Sequence, residues 1–208
     1  MKCYITLFST FILLFGCQNE KKESPISPND NENKLQIENK PEPIVSFDYS
    51  DLHETIYEHG GFEALTDSCT FYYECDCCSG TYYFNADSTF YYTSICVADE
   101  SWTIGYYKID SNKLILTYSG LWANNEYNWE NEMDSTAVDY FKRDTIIETQ
   151  TGKYFPRKCK DKLTFRTDSE LLLKSDANYK KEIQKVIKSD YIERLNKLLE
   201  KQNQNNSN

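Results

Sequence analysis

The chain has 208 residues and a formal net charge of −10. That length supports one substantial core with appendages, and the acidic balance argues against nucleic acid and against adhesion to anionic lipid, both of which need clustered Lys and Arg. Seventeen Tyr, eleven Phe and three Trp against seven Gly point to a β-rich fold with aromatic pleats.

The first element in chain order is the apolar run from Tyr4 to Phe15, behind Met1-Lys2. Its length suits a secretory segment and is too short to span a bilayer. It ends in Leu14-Phe15-Gly16-Cys17, which resembles the lipobox of bacterial lipoproteins. The resemblance implies a signal peptide over residues 1–16, cleavage before Cys17, and acyl chains on that cysteine. Several acyl chains hold a protein on a membrane where a single one binds only marginally, so the membrane is an expected partner. Residues 17–43 form a lipidated tether with no aromatic residue. Such a stretch buries too little apolar surface to offset its conformational entropy and is expected to be disordered. No aspartate follows Cys17, which by resemblance to sorting in Gram-negative lipoproteins implies the outer membrane, with the domain facing the periplasm or the cell surface.

Residues 44–174 are expected to form the folded domain. Its opening part, 44–65, is open between a helix and a covering loop. From residue 66 the chain becomes a series of short alternating runs. Gly80-x-Tyr82-x-Phe84-x-x-Asp87 is followed twenty-five residues later by Gly105-x-Tyr107-x-Ile109-x-x-Asn112-x-Leu114-x-Leu116. A weaker copy runs Leu163-x-Phe165-x-x-Asp168 into Leu171, Leu172 and Leu173. Period-two apolar residues face one side, and Asp or Asn then tolerates the tight turn. The turns are Asn85-Ala86-Asp87-Ser88, Asp110-Ser111-Asn112 and Thr167-Asp168-Ser169. Consecutive hairpins of this kind build an antiparallel meander that closes into a barrel or packs as a sandwich. Tyr82, Phe84, Phe90, Leu114 and Leu116 are expected to point inward and fill it. The polar, Asn-rich segment from Trp122 to Thr136 is expected to be a long inter-strand loop. The runs Gly105–Leu116 and Phe84–Phe90 resemble motifs of the lipocalin-like domains of bacterial lipoproteins, which implies a mainly β, lipocalin-like barrel.

Residues 175–201 change period. Tyr179, Ile183, Val186, Ile187, Tyr191, Leu195, Leu198 and Leu199 fall at helical spacing. Asp176 is the expected N-cap, and Ser189-Asp190 a kink or restart. The helix is expected to lie across a barrel opening or flank, or else to dock a partner. Residues 202–208 are expected to be a disordered tail.

Cys3 lies in the signal and Cys17 takes the lipid, which leaves Cys69, Cys75, Cys77, Cys78, Cys96 and Cys159. An even number in an oxidising compartment predicts three disulfides. Bonds within the trio Cys75, Cys77 and Cys78 are geometrically poor, so each is expected to pair with one of Cys69, Cys96 and Cys159. A hairpin that places Phe84 opposite Phe90, Tyr82 opposite Tyr92 and Gly80 opposite Ser94 also brings Cys78 to Cys96. Cys75 and Cys77 then share Cys69 and Cys159. The competing use of the trio is a thiolate metal site, but a second C-x2-C pair and a nearby His are missing, so no metal is expected.

His53 and His59 are six apart and off a common helical face. The chain carries no G-x-S-x-G elbow, phosphate loop or H-E-x-x-H pair, so neither a catalytic residue nor a cofactor is expected. Trp102, Trp122 and Trp129 are the candidate ligand platform. The first functional reading is a non-enzymatic envelope lipoprotein whose barrel binds a small apolar ligand or an envelope protein. The second is an interaction or inhibitor module docking through the C-terminal helix, and the third a thiolate metal-binding protein. A cavity above about 300 Å³ favours the first; an exposed apolar helix face favours the second.

Overall fold

In a computed structural model of the chain, residues 45–61, 66, 68–72, 79–96, 99–128 and 140–206 are described. The expected signal peptide 1–16, Cys17 and the expected tether to residue 43 lie outside them, as do Cys75, Cys77, Cys78 and Trp129. Nine strands precede two helices. The strands are β1 (Thr55–Gly61), β2 (Ser79–Phe84), β3 (Thr89–Cys96), β4 (Asp99–Asp110), β5 (Lys113–Tyr127), β6 (Tyr140–Ile146), β7 (Gln150–Cys159), β8 (Lys162–Arg166) and β9 (Glu170–Lys174). The helices are α1 (Tyr179–Lys188) and α2 (Asp190–Asn206).

Strand order β1-β2-β3-β4-β5-β7-β8-β9 returns to β1 and closes an eight-stranded antiparallel barrel. The remaining strand, β6, pairs with the second half of β5 from Leu121 to Tyr127, while β7 takes Leu114 to Tyr118. The two therefore follow one another along a single partner, and that side of the wall rises beyond the barrel proper.

The turns show why the meander forms. In the β2–β3 hairpin Asp87 Oδ1 accepts from Thr89 N at 3.0 Å, and Asn85 N donates to Thr89 O at 2.9 Å. Phe84 faces Phe90, Tyr82 faces Tyr92 and Gly80 faces Ser94, the register the aromatic pairing predicts. The β4–β5 hairpin turns on Ser111 (φ 50°) and Asn112 (φ 60°), the mirror-image turn whose twist suits a two-residue connection.

Tyr82, Phe84, Phe90, Leu114 and Leu116 point inward and are buried, with Tyr57, Tyr107, Phe165 and Leu172 among them. Gly105 makes room for this filling, because a Cβ there would sit 2.4 Å from the Phe90 ring and 2.4 Å from Thr117 O. One end of the barrel is sealed by the segment before β1. Leu52 is buried in the core, Phe47 meets Phe165 edge-on at 4.8 Å, and Asn112 Nδ2 donates to Val45 O at 2.9 Å.

Several expectations are corrected. Residues 44–65 contain a 3₁₀ turn (Tyr49–Asp51) and then strand β1. Tyr57 is buried inside and Ile56 is buried on the outer face, so the run lacks the alternation of a half-exposed strand. The loop expected from Trp122 is strand as far as Tyr127, its polar residues serving an open inner wall and a polar contact with α2. The N-cap of α1 is Asn178, whose side chain accepts from Lys181 N at 3.1 Å; Asp176 instead pairs with Lys162 at 2.6 Å. The chain does break at Ser189, as expected, where the backbone turns extended. Helix continues through residues 202–206, where a disordered tail is expected, because Gln and Asn extend a helix already nucleated and docked through Leu195 and Leu198. Finally, Cys69 is bonded to Cys159, with Cα atoms 5.9 Å apart, so neither is available to Cys75 or Cys77. Cys96 is also disulfide-bonded. Its expected partner, Cys78, lies outside the described residues.

Candidate functional site

At the end of the barrel opposite Leu52 the aromatic filling stops and leaves a pit of about 270 Å³. Strand parity builds it. His59 from β1, Tyr82 from β2, Tyr92 from β3, Tyr154 from β7 and Glu170 from β9 all line it. Two more side chains come from β5, Tyr118 and Trp122, on either side of a bulge. That bulge is centred on Gly120, whose φ is +81° and whose carbonyl accepts from Ile147 N at 2.8 Å. It lengthens β5 against β4, so that Tyr118 and Trp122 stand opposite Gly105 and Thr103; both face inward, their rings nearly parallel (16°) with centroids 6.5 Å apart.

The polar groups of the pit are linked. Tyr154 OH donates to Glu170 Oε2 at 2.9 Å, and His59 Nε2 faces Glu170 Oε1 at 3.6 Å. His59 Nδ1 lies 3.2 Å from Tyr92 OH, and the hydroxyls of Tyr82 and Tyr118 are hydrogen-bonded to each other. Burial pushes the phenols of Tyr82, Tyr118 and Tyr154 above their usual range, so all three keep their protons at neutral pH. The His59 imidazole beside it, reinforced by the hydrogen bond from Tyr154, holds the Glu170 carboxyl below the usual range against the opposing effect of burial. Among the described residues Glu170 is the one carboxylate lining the pit. Trp122 Nε1 is buried there and meets no acceptor among the described residues.

Of the three candidate tryptophans, only Trp122 is placed in the pit. Trp102 points to the outside of the wall, donates from Nε1 to Glu100 Oε1 at 2.9 Å and stacks on Tyr191 of α2 at 5.2 Å. Trp129 lies outside the described residues. His59, Tyr118, Tyr154 and Glu170 are site residues that sequence reasoning missed. Tyr118 could have been found by extending the alternation Leu114, Leu116. No local pattern marks Glu170, which reaches the pit because β9 closes the barrel against β1. Among the described residues, no three His, Cys, Asp or Glu side chains converge as metal ligands would.

No family model matches the chain, and no curated protein does. Among solved structures it is similar to a streptavidin-like protein from Bacteroides eggerthii, at 12% identity and a TM-score of 0.48, over 71% of this chain and 95% of that one. So distant a likeness transfers no ligand, and the barrel stands on its own ring of paired strands.

The helices occupy a separate surface, the outer flank of the wall. Ile183, Val186, Tyr191, Leu195 and Leu198 are buried together with Trp102, Leu121 and Ala123. Arg194, only 8% exposed, donates to Asp144 Oδ1 from Nε at 2.9 Å, to Asn125 Oδ1 at 2.7 Å and to Asn124 O at 2.7 Å. Most of the apolar stripe that would have docked a partner is thus seated on the barrel, while Ile187 and Leu199 stay exposed.

Proposed function

We propose that this is a non-enzymatic binding protein whose barrel receives one small ligand in the pit at its open end. The observation that carries the reading is the change of lining along the barrel axis. Aromatic side chains fill the interior up to the Tyr82 layer, and above them lies a concave space where rings alternate with a few convergent polar groups. That combination marks small-molecule sites, although the volume of about 270 Å³ falls just below about 300 Å³, where their range begins, so the lining and not the size supports the reading. The polar lining turns the expectation of an apolar ligand towards a polar one of modest size. In the same reading the domain is held in the bacterial envelope, on the outer membrane, by an acylated Cys17; the support for this is the Leu14-Phe15-Gly16-Cys17 run.

Binding is tested by NMR of the indole N–H groups during a screen of metabolite-sized molecules. At least one is expected to move the Trp122 signal while leaving Trp102, under α2, in place. If no compound moves Trp122, or if all hits act elsewhere, the pit is not the site. Anchoring is tested by intact mass of protein taken from native membranes. An unmodified Cys17 would remove the membrane from this reading.

A further inference from the structure

We infer that the pit selects a small organic cation, with an ammonium group seated on the carboxylate of Glu170 and against the faces of Tyr82, Tyr118 and Trp122. The inference rests on the reading of the pit as a ligand site and adds the chemistry of its occupant.

The first argument is the direction of the hydrogen bonds. A carboxylate only accepts, so neighbouring hydroxyl protons turn towards it. Tyr154 commits its proton to Glu170 Oε2. A carboxylate has about four lone-pair positions, and Tyr154 and His59 address one on each oxygen. The Glu170 side chain is 42% exposed, so its remaining accepting capacity meets whatever enters. The pit therefore offers acceptors and asks for donors.

The second argument is charge. Glu170 is held ionised by its partners, and among the described residues it is the one carboxylate of the lining. Aromatic faces carry the negative end of the ring quadrupole and attract a cation placed over them. The whole chain adds a formal charge of −10, which concentrates cations near its surface and repels anions. An anionic ligand would meet repulsion at Glu170. A purely apolar one would desolvate the carboxylate without replacing its hydrogen bonds, which is costly.

The third argument is the indole. Trp122 Nε1 is a donor with no acceptor among the described residues, so the fitting ligand also carries an oxygen that accepts from it. An amine that also bears a hydroxyl or carbonyl oxygen, on a frame small enough for the pit, answers all three observations.

The test uses three probes of one shape on the mature chain near pH 7: tyramine, 2-(4-hydroxyphenyl)ethanol and 4-hydroxyphenylacetate. Calorimetry is expected to show the amine binding at least about tenfold more tightly than the alcohol, with the acid weakest. Glu170→Gln is expected to reduce the amine to the level of the alcohol. Should that variant fold poorly, salt provides the same discrimination in the wild type. Raising ionic strength from about 0.05 to about 0.5 M weakens the amine and leaves the alcohol unchanged. Equal or tighter binding of the alcohol or the acid overturns the cation inference while leaving the pit as a ligand site. Silence from all three, while other molecules still move the Trp122 indole signal, overturns it in the same way. The reading of the pit itself falls only if nothing moves that signal.

Discussion

Tyr154 donates its hydroxyl proton to Glu170 across 2.9 Å, joining β7 to β9 inside the barrel over the intervening β8. The register Phe155–Arg166–Leu171 brings the two residues level on strands separated only by β8, and the long tyrosine side chain spans it. Tyr154→Phe is expected to cost about 1.5–3 kcal/mol in chemical denaturation, the net worth of a hydrogen bond to a charged acceptor. The same change removes one of the contacts that lower the Glu170 carboxyl. Its titration, followed by NMR, is therefore expected to move upward in the variant. A depressed carboxyl contributes stability above its unfolded value and loses it as pH falls through the folded value. Tyr154→Phe should therefore lose less stability than the wild type on acidification. An unmoved Glu170 titration would contradict the assignment of this bond.

The phenols predict behaviour at the other end of the pH scale. Burial raises Tyr57, Tyr82, Tyr118 and Tyr154 above the ordinary tyrosine range. The unfolded chain then loses phenolic protons near pH 10 while the folded chain keeps them. Stability is full below about pH 10 and falls above it, by about 1.4 kcal/mol per pH unit for each such phenol. Tyrosinate absorbance and circular dichroism, recorded together on raising the pH, are expected to show these phenols ionising in the same step as unfolding. A smooth independent titration of every tyrosine near pH 10, with the fold intact, would show that they are not buried as described.

Gly120 is where the wall bends. Its φ of +81° disfavours a side chain, and a Cβ there would lie 2.2 Å from Ile147 O. Gly120→Ala is expected to cost about 1–3 kcal/mol, the range for an enforced left-handed residue. The loss should be local in its first effect. Amide exchange is expected to quicken in β6, which hangs on β5 just beyond the bulge, before it quickens in β2 and β3. An exchange pattern unchanged in β6 would mean that the bulge is not what aligns this strand.

What could be read from the chain alone follows from how local each feature is. The hairpin from Tyr82 to Tyr92 and the turn at Asn112 were legible because alternation and turn chemistry lie within a dozen residues. Strand β1 was not, since Ile56 and Tyr57 are buried on opposite faces and leave no polar face to mark a period. The upper half of β5 was disguised by Asn124, Asn125 and Glu126, which look like a loop until α2 and β6 supply their partners. Trp122 was legible as a candidate because the chain has only three Trp, whereas Glu170 resembled any surface carboxylate. Its position depends on the closure of β9 against β1, a contact spanning over a hundred residues that no short window contains.

Arg194 decides whether the C-terminal helices belong to the barrel or to a partner. Its guanidinium spans Asp144 on β6 and Asn124 and Asn125 on β5, and it lies over the Tyr191 ring at 5.2 Å. Tyr191 in turn donates to Glu100 Oε2 at 2.6 Å, so one clasp reaches β4, β5 and β6. Arg194→Met keeps most of the apolar stem but leaves Asp144 and the Asn124 carbonyl without their donor. Because Asp144 stays partly exposed, the expected cost is about 2–4 kcal/mol, below that of a fully buried broken pair. Amide exchange is expected to rise through α2 and β6, while β1, β2 and β9 keep their protection. The pit lies on the inner face of the wall and the clasp on the outer, so the Trp122 indole signal should respond to ligand as in the wild type. A helix meant for a partner would loosen at little cost to the barrel. Arg194→Met unfolding with wild-type stability would return α2 to that role.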